Sequence, residues 1–206
     1  MRGGLVGVFA VVVLGYIAYN ALSTEGLDPR GLERGSELPP FAVPLAASAS
    51  EDQDANVNTR RDGDVPAACD VRGVDVLNVC ELAETGRPLM LAFVVTEAGD
   101  CADQLDVLDR VAQRFPRVEF AAVAVREDLG ELQRRLRERR WRVPLGYDHD
   151  GAAANLYGLG AVCPLFTFAG EDGRVAGTHV GVLAERALAE RARALQAGRP
   201  LPEEDE

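Results

Sequence analysis

The pattern of apolar and polar positions begins with eighteen uncharged residues at 5–22, LVGVFAVVVLGYIAYNAL. As a helix this run would be about 27 Å long, which is enough to cross a bilayer. It exceeds the roughly 7 to 15 apolar residues of a cleaved signal peptide, and no clear Ala-x-Ala site follows it. We therefore expect a single-pass signal anchor at 5–22, with residues 1–4 in the cytoplasm and the rest of the chain outside the cell membrane. Cleavage stays open as an alternative.

Small and polar residues dominate the next segment, and a periodic apolar pattern resumes only near Pro66. Residues 23–65 are predicted to be a flexible Pro/Gly and polar tether. Residues 66–196 then form one domain, which is long enough to bury most of its apolar surface. Residues 197–206 are predicted to be an acidic tail.

Within 66–196 the apolar positions alternate between strand and helix patterns. Two continuous apolar runs, at 88–95 and 118–125, predict strands that are buried on both faces. The runs 165–168 and 174–180 flank the turn AGEDG and predict an antiparallel hairpin. Helical spacing occurs at 100–115, 127–140, 151–159 and 183–195. This order predicts an α/β fold with a central mixed β-sheet flanked by helices on both faces.

Composition restricts the chemistry that this fold can carry. The chain has 22 basic residues, all of them arginine, and 33 acidic residues, so its net charge is −11. The lack of lysine excludes a P-loop nucleotide site and a Schiff-base enzyme, because both need the lysine amine. The acidic balance argues against nucleic acid as a partner, because neutralising phosphates requires a basic surface.

Four stretches carry a family resemblance: GSELPPFAVPL at 35–45, RPLMLAFVVT at 87–96, VPLGYDHDGAAANLYGLGAVCPLFTF at 143–168 and EDGRVAGTHVG at 171–181. In this order they resemble the thioredoxin-like superfamily. The resemblance is to its redoxin branch (alkyl hydroperoxide reductase/thiol-specific antioxidant) or to membrane-tethered extracytoplasmic disulfide reductases. It covers roughly residues 36–196 and implies a thioredoxin-like fold.

The resemblance is weakest where the family carries its C-x-x-C motif. An alignment without gaps leaves Ala98 in place of the attacking cysteine, whereas a longer loop puts Cys101 there and Gln104 in place of its partner. Asp100 as N-cap and Asp103 at N3 favour the longer loop, since they would place Cys101 at the first helical position. Helix amides and the helix dipole stabilise a thiolate there, although the two carboxylates oppose this effect.

The resemblance also implies that Pro164 forms a cis peptide bond and that the preceding residue, Cys163, lies against the active-site helix. We therefore expect Cys101 and Cys163 to form a noncontiguous redox pair beside Pro164. The alternative is two separately buried thiols, a common fate of cysteine. A Cα separation well beyond about 7 Å would contradict the pair.

Cys69 and Cys80 lie before the first predicted strand of the domain. Outside the cytoplasm such a pair is expected to form a structural disulfide. Zinc is the weaker alternative, because these cysteines lack paired ligand spacing. No metal and no cofactor are expected.

The predicted function is that of an extracytoplasmic thiol-disulfide oxidoreductase, anchored in the membrane through residues 5–22. Its partners would be protein thiols or disulfides and an upstream thiol donor. Two alternatives stay open. One is a redox-inactive thioredoxin-like module that binds a partner, and the other is a peroxiredoxin-like peroxidase. The peroxidase would need a threonine three positions before Cys101, where the chain has Ala98 and where Thr96 is out of place.

Overall fold

A computed structural model describes residues 31–96, 99–160 and 162–202 of the chain. The predicted membrane anchor at 5–22 lies outside these residues. Across the three described ranges, no helix is both long and apolar enough to cross a membrane.

Seven strands and five α-helices make up the described domain. In chain order they are β1 (Ala42–Pro44), β2 (Val76–Asn78), α1 (Val79–Glu84), β3 (Leu89–Val94), α2 (Gly99–Ala112), β4 (Glu119–Val125), α3 (Leu129–Arg139), β5 (Leu145–Asp148), α4 (Ala152–Leu156), β6 (Leu165–Ala169), β7 (Val175–Val180) and α5 (Glu185–Gln196). A short 3₁₀ helix, Ala68–Asp70, precedes β2.

Five of the strands form one mixed sheet in the order β5-β4-β3-β6-β7. Strands β3, β4 and β5 run parallel, whereas β6 is antiparallel to both β3 and β7. The strands β1 and β2 form a separate antiparallel pair. This topology confirms the predicted central mixed sheet and the predicted hairpin.

The central strand β3 is buried at all six positions, because both faces of the sheet are covered. Met90 and Ala92 belong to a cluster with apolar residues of α2, α3 and α5. Leu91 and Phe93 point to the other face, where they join a cluster with Phe41 and with residues of α1 and α4. Helices therefore flank the sheet on both faces, as the apolar pattern predicted.

The strand β5 was not predicted from the sequence, because it is short and contains a glycine that its packing requires. It is four residues long and contains Gly146, a residue type that is rare inside strands. A Cβ atom at Gly146 would lie only 2.5 Å from Val43 Cγ2 and 2.9 Å from Leu77 Cδ2. Glycine is therefore required here because the β1–β2 pair packs directly against β5, a contact between segments far apart in the chain.

Part of the expected tether is packed into the domain. Phe41 and Val43 are buried, and β1 pairs with β2. The tether predicted at 23–65 therefore includes a stretch that belongs to the folded unit, which begins before the expected boundary at residue 66. At the other end, Leu201 of the predicted tail packs against the core.

A disulfide joins Cys69, in the 3₁₀ helix, to Cys80, in α1, with a Cα separation of 5.4 Å. The buried side chain of Asn78 supports the same junction. Its Oδ1 accepts from the N–H of Cys80 at 2.8 Å, and its Nδ2 donates to the carbonyl groups of Ala68 at 2.8 Å and Val71 at 2.7 Å. The disulfide and Asn78 together fix the irregular segment before β2.

Replacing both Cys69 and Cys80 by serine is expected to lower the free energy of unfolding by about 2 to 3 kcal/mol, because the short closed loop would gain freedom in the unfolded chain. Denaturant unfolding under non-reducing conditions, compared with wild type, measures this loss. The single variant Cys69→Ser should show the same loss, since it breaks the same bond. A loss below about 1 kcal/mol would contradict a stabilising role.

Candidate active site

Two cysteines meet at the end of the five-stranded sheet where strand β3 ends and the neighbouring strand β6 begins. Cys101 lies in the first turn of α2, the helix that follows β3, and is 2% exposed. Cys163 lies close before β6, which pairs with β3. The structure joins the two by a disulfide with a Cα separation of 6.0 Å. This separation lies within the usual range for such a bond and meets the distance condition set for the predicted pair.

The turn that carries Cys163 is held against the end of β3. The N–H of Val95 donates to Sγ of Cys163 at 3.1 Å, and the N–H of Gly181 donates to the carbonyl oxygen of Pro164 at 2.8 Å. The peptide bond between Cys163 and Pro164 is cis, and Pro164 is buried. The three candidate residues from the sequence, Cys101, Cys163 and Pro164, therefore lie together.

The start of α2 differs from the predicted capping arrangement. The sequence predicts Asp100 as N-cap and Cys101 as the first helical residue, whereas α2 begins at Gly99. Cys101 is then the third residue of the helix and still lies in the first turn, where backbone N–H groups lack partners within the helix. The positive end of the helix dipole favours a thiolate at this position. Residues 97 and 98 lie outside the described residues.

Gln104, which the longer-loop alignment places at the second cysteine of the C-x-x-C motif, binds the backbone. Its side chain is buried. Nε2 donates to the carbonyl oxygen of Leu183 at 3.0 Å, and the N–H of Leu183 donates to Oε1 at 2.8 Å. This two-point contact attaches α2 to the segment before α5. Gln104 therefore has a structural role in the described domain.

A buried glutamate next to the site was not found from the sequence. Glu127 follows β4, and its carboxylate accepts from the N–H of Thr96 and, at 2.8 Å, from the hydroxyl of Thr96. Arg135 of α3 donates to the carbonyl oxygen of Thr96. Thr96 is therefore held from two sides just before the loop that leads to Cys101. Glu127 lies at the predicted boundary of a helix, where a charged residue usually faces solvent, so the sequence carried no signal for this role.

The described residues contain no group of three histidine, cysteine, aspartate or glutamate side chains placed to hold a metal ion. Both cysteines of the weaker zinc alternative, Cys69 and Cys80, are in a disulfide. Nδ1 of His149 lies 3.2 Å from Oδ1 of Asp54, in an exposed contact.

A second buried carboxylate lies at the end of β5. Asp148 accepts from the N–H of Ala153 at 3.4 Å and from that of Ala154 at 2.8 Å. The N-cap of α4 is Gly151, and Oδ1 of Asp150 accepts from the N–H of Ala152 at 3.2 Å. Burial raises the pKa of Asp148 to about 6, outweighing the two hydrogen bonds, which lower it.

Comparison with known proteins gives matches only among solved structures. No protein-family model matches the sequence. No curated protein is significantly similar to it.

Three solved structures illustrate the likeness. One from Chlorobium tepidum, named for the thiol:disulfide interchange protein DsbE, is 18% identical with a TM-score of 0.62, over 80% of this chain and 99% of that one. A thiol:disulfide interchange protein of the thioredoxin family from Chlorobium tepidum TLS is 14% identical with a TM-score of 0.58, over 80% and 99%. A hypothetical protein from Sinorhizobium meliloti 1021 is 13% identical with a TM-score of 0.62, over 84% and 90%. The chain therefore has the thioredoxin-like fold.

The raised pKa of Asp148 predicts a pH dependence of stability. Between about pH 4 and pH 6 the folded chain keeps a proton on Asp148 that the unfolded chain loses, so this contribution to stability is lost as the pH rises through about 6. The difference in unfolding free energy between wild type and Asp148→Asn should fall by about 1 to 2 kcal/mol from about pH 4 to pH 7.

Denaturant unfolding at a series of pH values measures this difference. The control is Asp172→Asn, which removes an exposed carboxylate that accepts from the N–H of Arg174 at 3.0 Å. This control measures how far the loss of an exposed carboxylate alone changes the difference over the same range. A difference for Asp148→Asn that changes no more than that of the control would contradict the raised pKa.

Proposed function

We propose that this protein is a membrane-anchored, extracytoplasmic thiol-disulfide oxidoreductase whose redox pair is Cys101 and Cys163, beside Pro164. The observation that supports it is the disulfide between α2 and the turn before β6, at a Cα separation of 6.0 Å. Thiol-disulfide exchange needs two sulfurs within bonding distance, one of which a partner can reach. A pair contributed by two distant segments meets this need as well as a contiguous C-x-x-C motif does.

The two sulfurs have different surroundings, which assigns them different roles. Cys163 is half-buried, whereas Cys101 is 2% exposed. An incoming thiolate therefore attacks Sγ of Cys163. Cys101 leaves as a thiolate in the first turn of α2, where the helix dipole stabilises the charge and makes it a better leaving group. This order exchanges the roles that the sequence alignment predicts, in which Cys101 attacks.

The complete exchange conserves electrons. A substrate thiolate bonds to Sγ of Cys163 as the Cys101–Cys163 bond breaks, and the Cys101 thiolate takes up a proton. A second substrate thiolate then attacks the substrate sulfur of the mixed disulfide and releases Cys163. The substrate loses two electrons and two protons, which the cysteine pair gains. The reverse sequence reduces a substrate disulfide and passes through the same mixed disulfide on Cys163.

The substrates are protein thiols or disulfides, and a separate thiol partner would restore the pair after each turnover. Val162, next to the reactive sulfur, is 54% exposed. An apolar side chain at this position offers a contact for a polypeptide substrate. The apolar run at 5–22 would hold the domain at the outer face of the cell membrane, where disulfides persist.

A peroxidase function receives less support from the geometry. The hydroxyl of Thr96, the nearest threonine before Cys101 in the chain, donates to Oε2 of Glu127 at 2.8 Å. Its proton is therefore directed at a buried carboxylate. The redox-inactive alternative is a distinct outcome of the following test.

The proposal predicts different reactivities for the two single-cysteine variants. Reduced Cys101→Ser, which keeps Cys163, should react with the aromatic disulfide 5,5′-dithiobis(2-nitrobenzoate) at least about tenfold faster than Cys163→Ser, because access limits the rate at Cys101. Release of the coloured thiolate measures both rates. Reduced wild type should release two equivalents and close the Cys101–Cys163 bond, which mass spectrometry of alkylated peptides identifies.

Each part of the proposal can fail separately. Faster reaction of Cys163→Ser would overturn the order of attack and leave the redox pair intact. A wild-type pair that neither opens in mild reductant nor closes again would exclude exchange and favour the partner-binding module. Rapid formation of a sulfenic acid at Cys101 on addition of peroxide would favour the peroxidase.

A further inference from the structure

Two arginines line a cavity that contains no acidic side chain in the described part of the chain. The cavity measures about 360 Å³ and lies between β7, α5 and the segments at either end of the domain. Arg191 of α5 is 7% exposed, and Arg34 is exposed at the cavity mouth. The remaining lining is mostly apolar and includes Phe168 and Leu201.

Arg191 forms no ion pair with a carboxylate in the described ranges. Its hydrogen bond runs from Nη1 to the carbonyl oxygen of Ala187 in its own helix, at 3.3 Å. The preceding residue, Glu190, is instead paired with Arg186 at 2.9 Å. A buried guanidinium without a carboxylate partner carries a desolvation cost that a bound anion would offset.

Arg34 adds a second guanidinium to the same cavity, and within the described ranges no carboxylate lies within ion-pair distance of it either. Other arginines of the described ranges, such as Arg117 and Arg142, also form no ion pair, but they are exposed, whereas Arg191 is buried. A buried arginine without a carboxylate partner and a second arginine at the same cavity therefore indicate a site for an anion.

Gly177 of β7 lets Leu201 pack closely over the strand beside Arg34. A Cβ atom at Gly177 would lie 3.0 Å from Cδ1 of Leu201 and 4.0 Å from Nη2 of Arg34. A larger side chain would therefore push against Leu201 in the apolar wall of the cavity. The site combines two planar donors with an apolar wall, which suits a charged group attached to an organic part.

We propose that Arg34 and Arg191 bind a phosphoryl group, carried by a soluble phosphate ester or by a lipid headgroup. Two guanidinium groups match the two negative charges of a phosphate monoester, and their planar N–H donors match its oxygen atoms. The apolar wall contacts the rest of the ligand. The site involves neither Cys101 nor Cys163, so the proposal does not depend on the redox function.

Isothermal titration of the full chain in a neutral detergent tests the site, with inorganic phosphate as the first probe and chloride at equal ionic strength as the reference. Arg34→Gln should weaken phosphate binding by about tenfold or more, as expected for the loss of a charge-assisted contact. Arg191→Gln should do the same. Arg34 is exposed, so its replacement leaves the fold intact even where replacement of the buried Arg191 does not.

Arg186→Gln is the matched control, because Arg186 lies on the same helix, is 89% exposed by its side chain and lines no part of the cavity. It should leave phosphate binding unchanged. Two further probes separate the ligand sources: glycerol 3-phosphate and dihexanoyl phosphatidic acid. Equal affinity for both supports a soluble ester, and tighter binding of the lipid supports a headgroup.

Three results would overturn the proposal. The first is phosphate binding no tighter than that of chloride. The second is an equal loss in Arg186→Gln and Arg34→Gln, which would indicate general surface charge. The third is binding that appears only after residues 203–206, EEDE, are deleted. The chain's own carboxylates would then be the occupant instead of an external phosphate.

Discussion

The register between β3 and β6 is the constraint on which the site depends. Phe93 is opposite Leu165 in this antiparallel pair. Continuing the same alignment brings the end of β3 beside the turn before β6, and the N–H of Val95 reaches Sγ of Cys163. A slip by one residue would turn every buried side chain of β3 to the opposite face of the sheet. The same apolar burial that stabilises the core therefore also sets the separation of the two sulfurs.

The sequence predicted those parts of the fold that depend on local pattern. Continuous apolar runs identified β3 and β4, and the turn AGEDG identified the β6–β7 hairpin. The family resemblance brought Cys101 together with Cys163, although no C-x-x-C motif links them. The first of these predictions needed no contact between distant segments, whereas the second took such a contact from the resemblance.

The features that were missed depend on such contacts. In the sequence, Gly146 indicates a break in a strand. In the structure, it allows the β1–β2 pair to pack against β5. In the sequence, Glu127 indicates a solvated residue at a helix boundary. In the structure, its carboxylate accepts from the hydroxyl of Thr96. Gln104 is an unremarkable polar position in a helix until Leu183 approaches from 79 residues further along the chain. Each role belongs to a pair of residues, and no local pattern records such a pair.

Gln104 attaches α2 to the domain at a point other than Cys101, so the position of this helix would not depend on the oxidation state of the cysteine. Two hydrogen bonds to Leu183 hold the helix one turn beyond the cysteine, and neither of them involves a sulfur atom. Reduction would then change one covalent bond and the local charge, while the outline of the domain stays nearly constant. A partner that distinguishes the oxidised from the reduced form would have to recognise the sulfur atoms themselves, because the shape of the surrounding surface would be nearly the same in both forms.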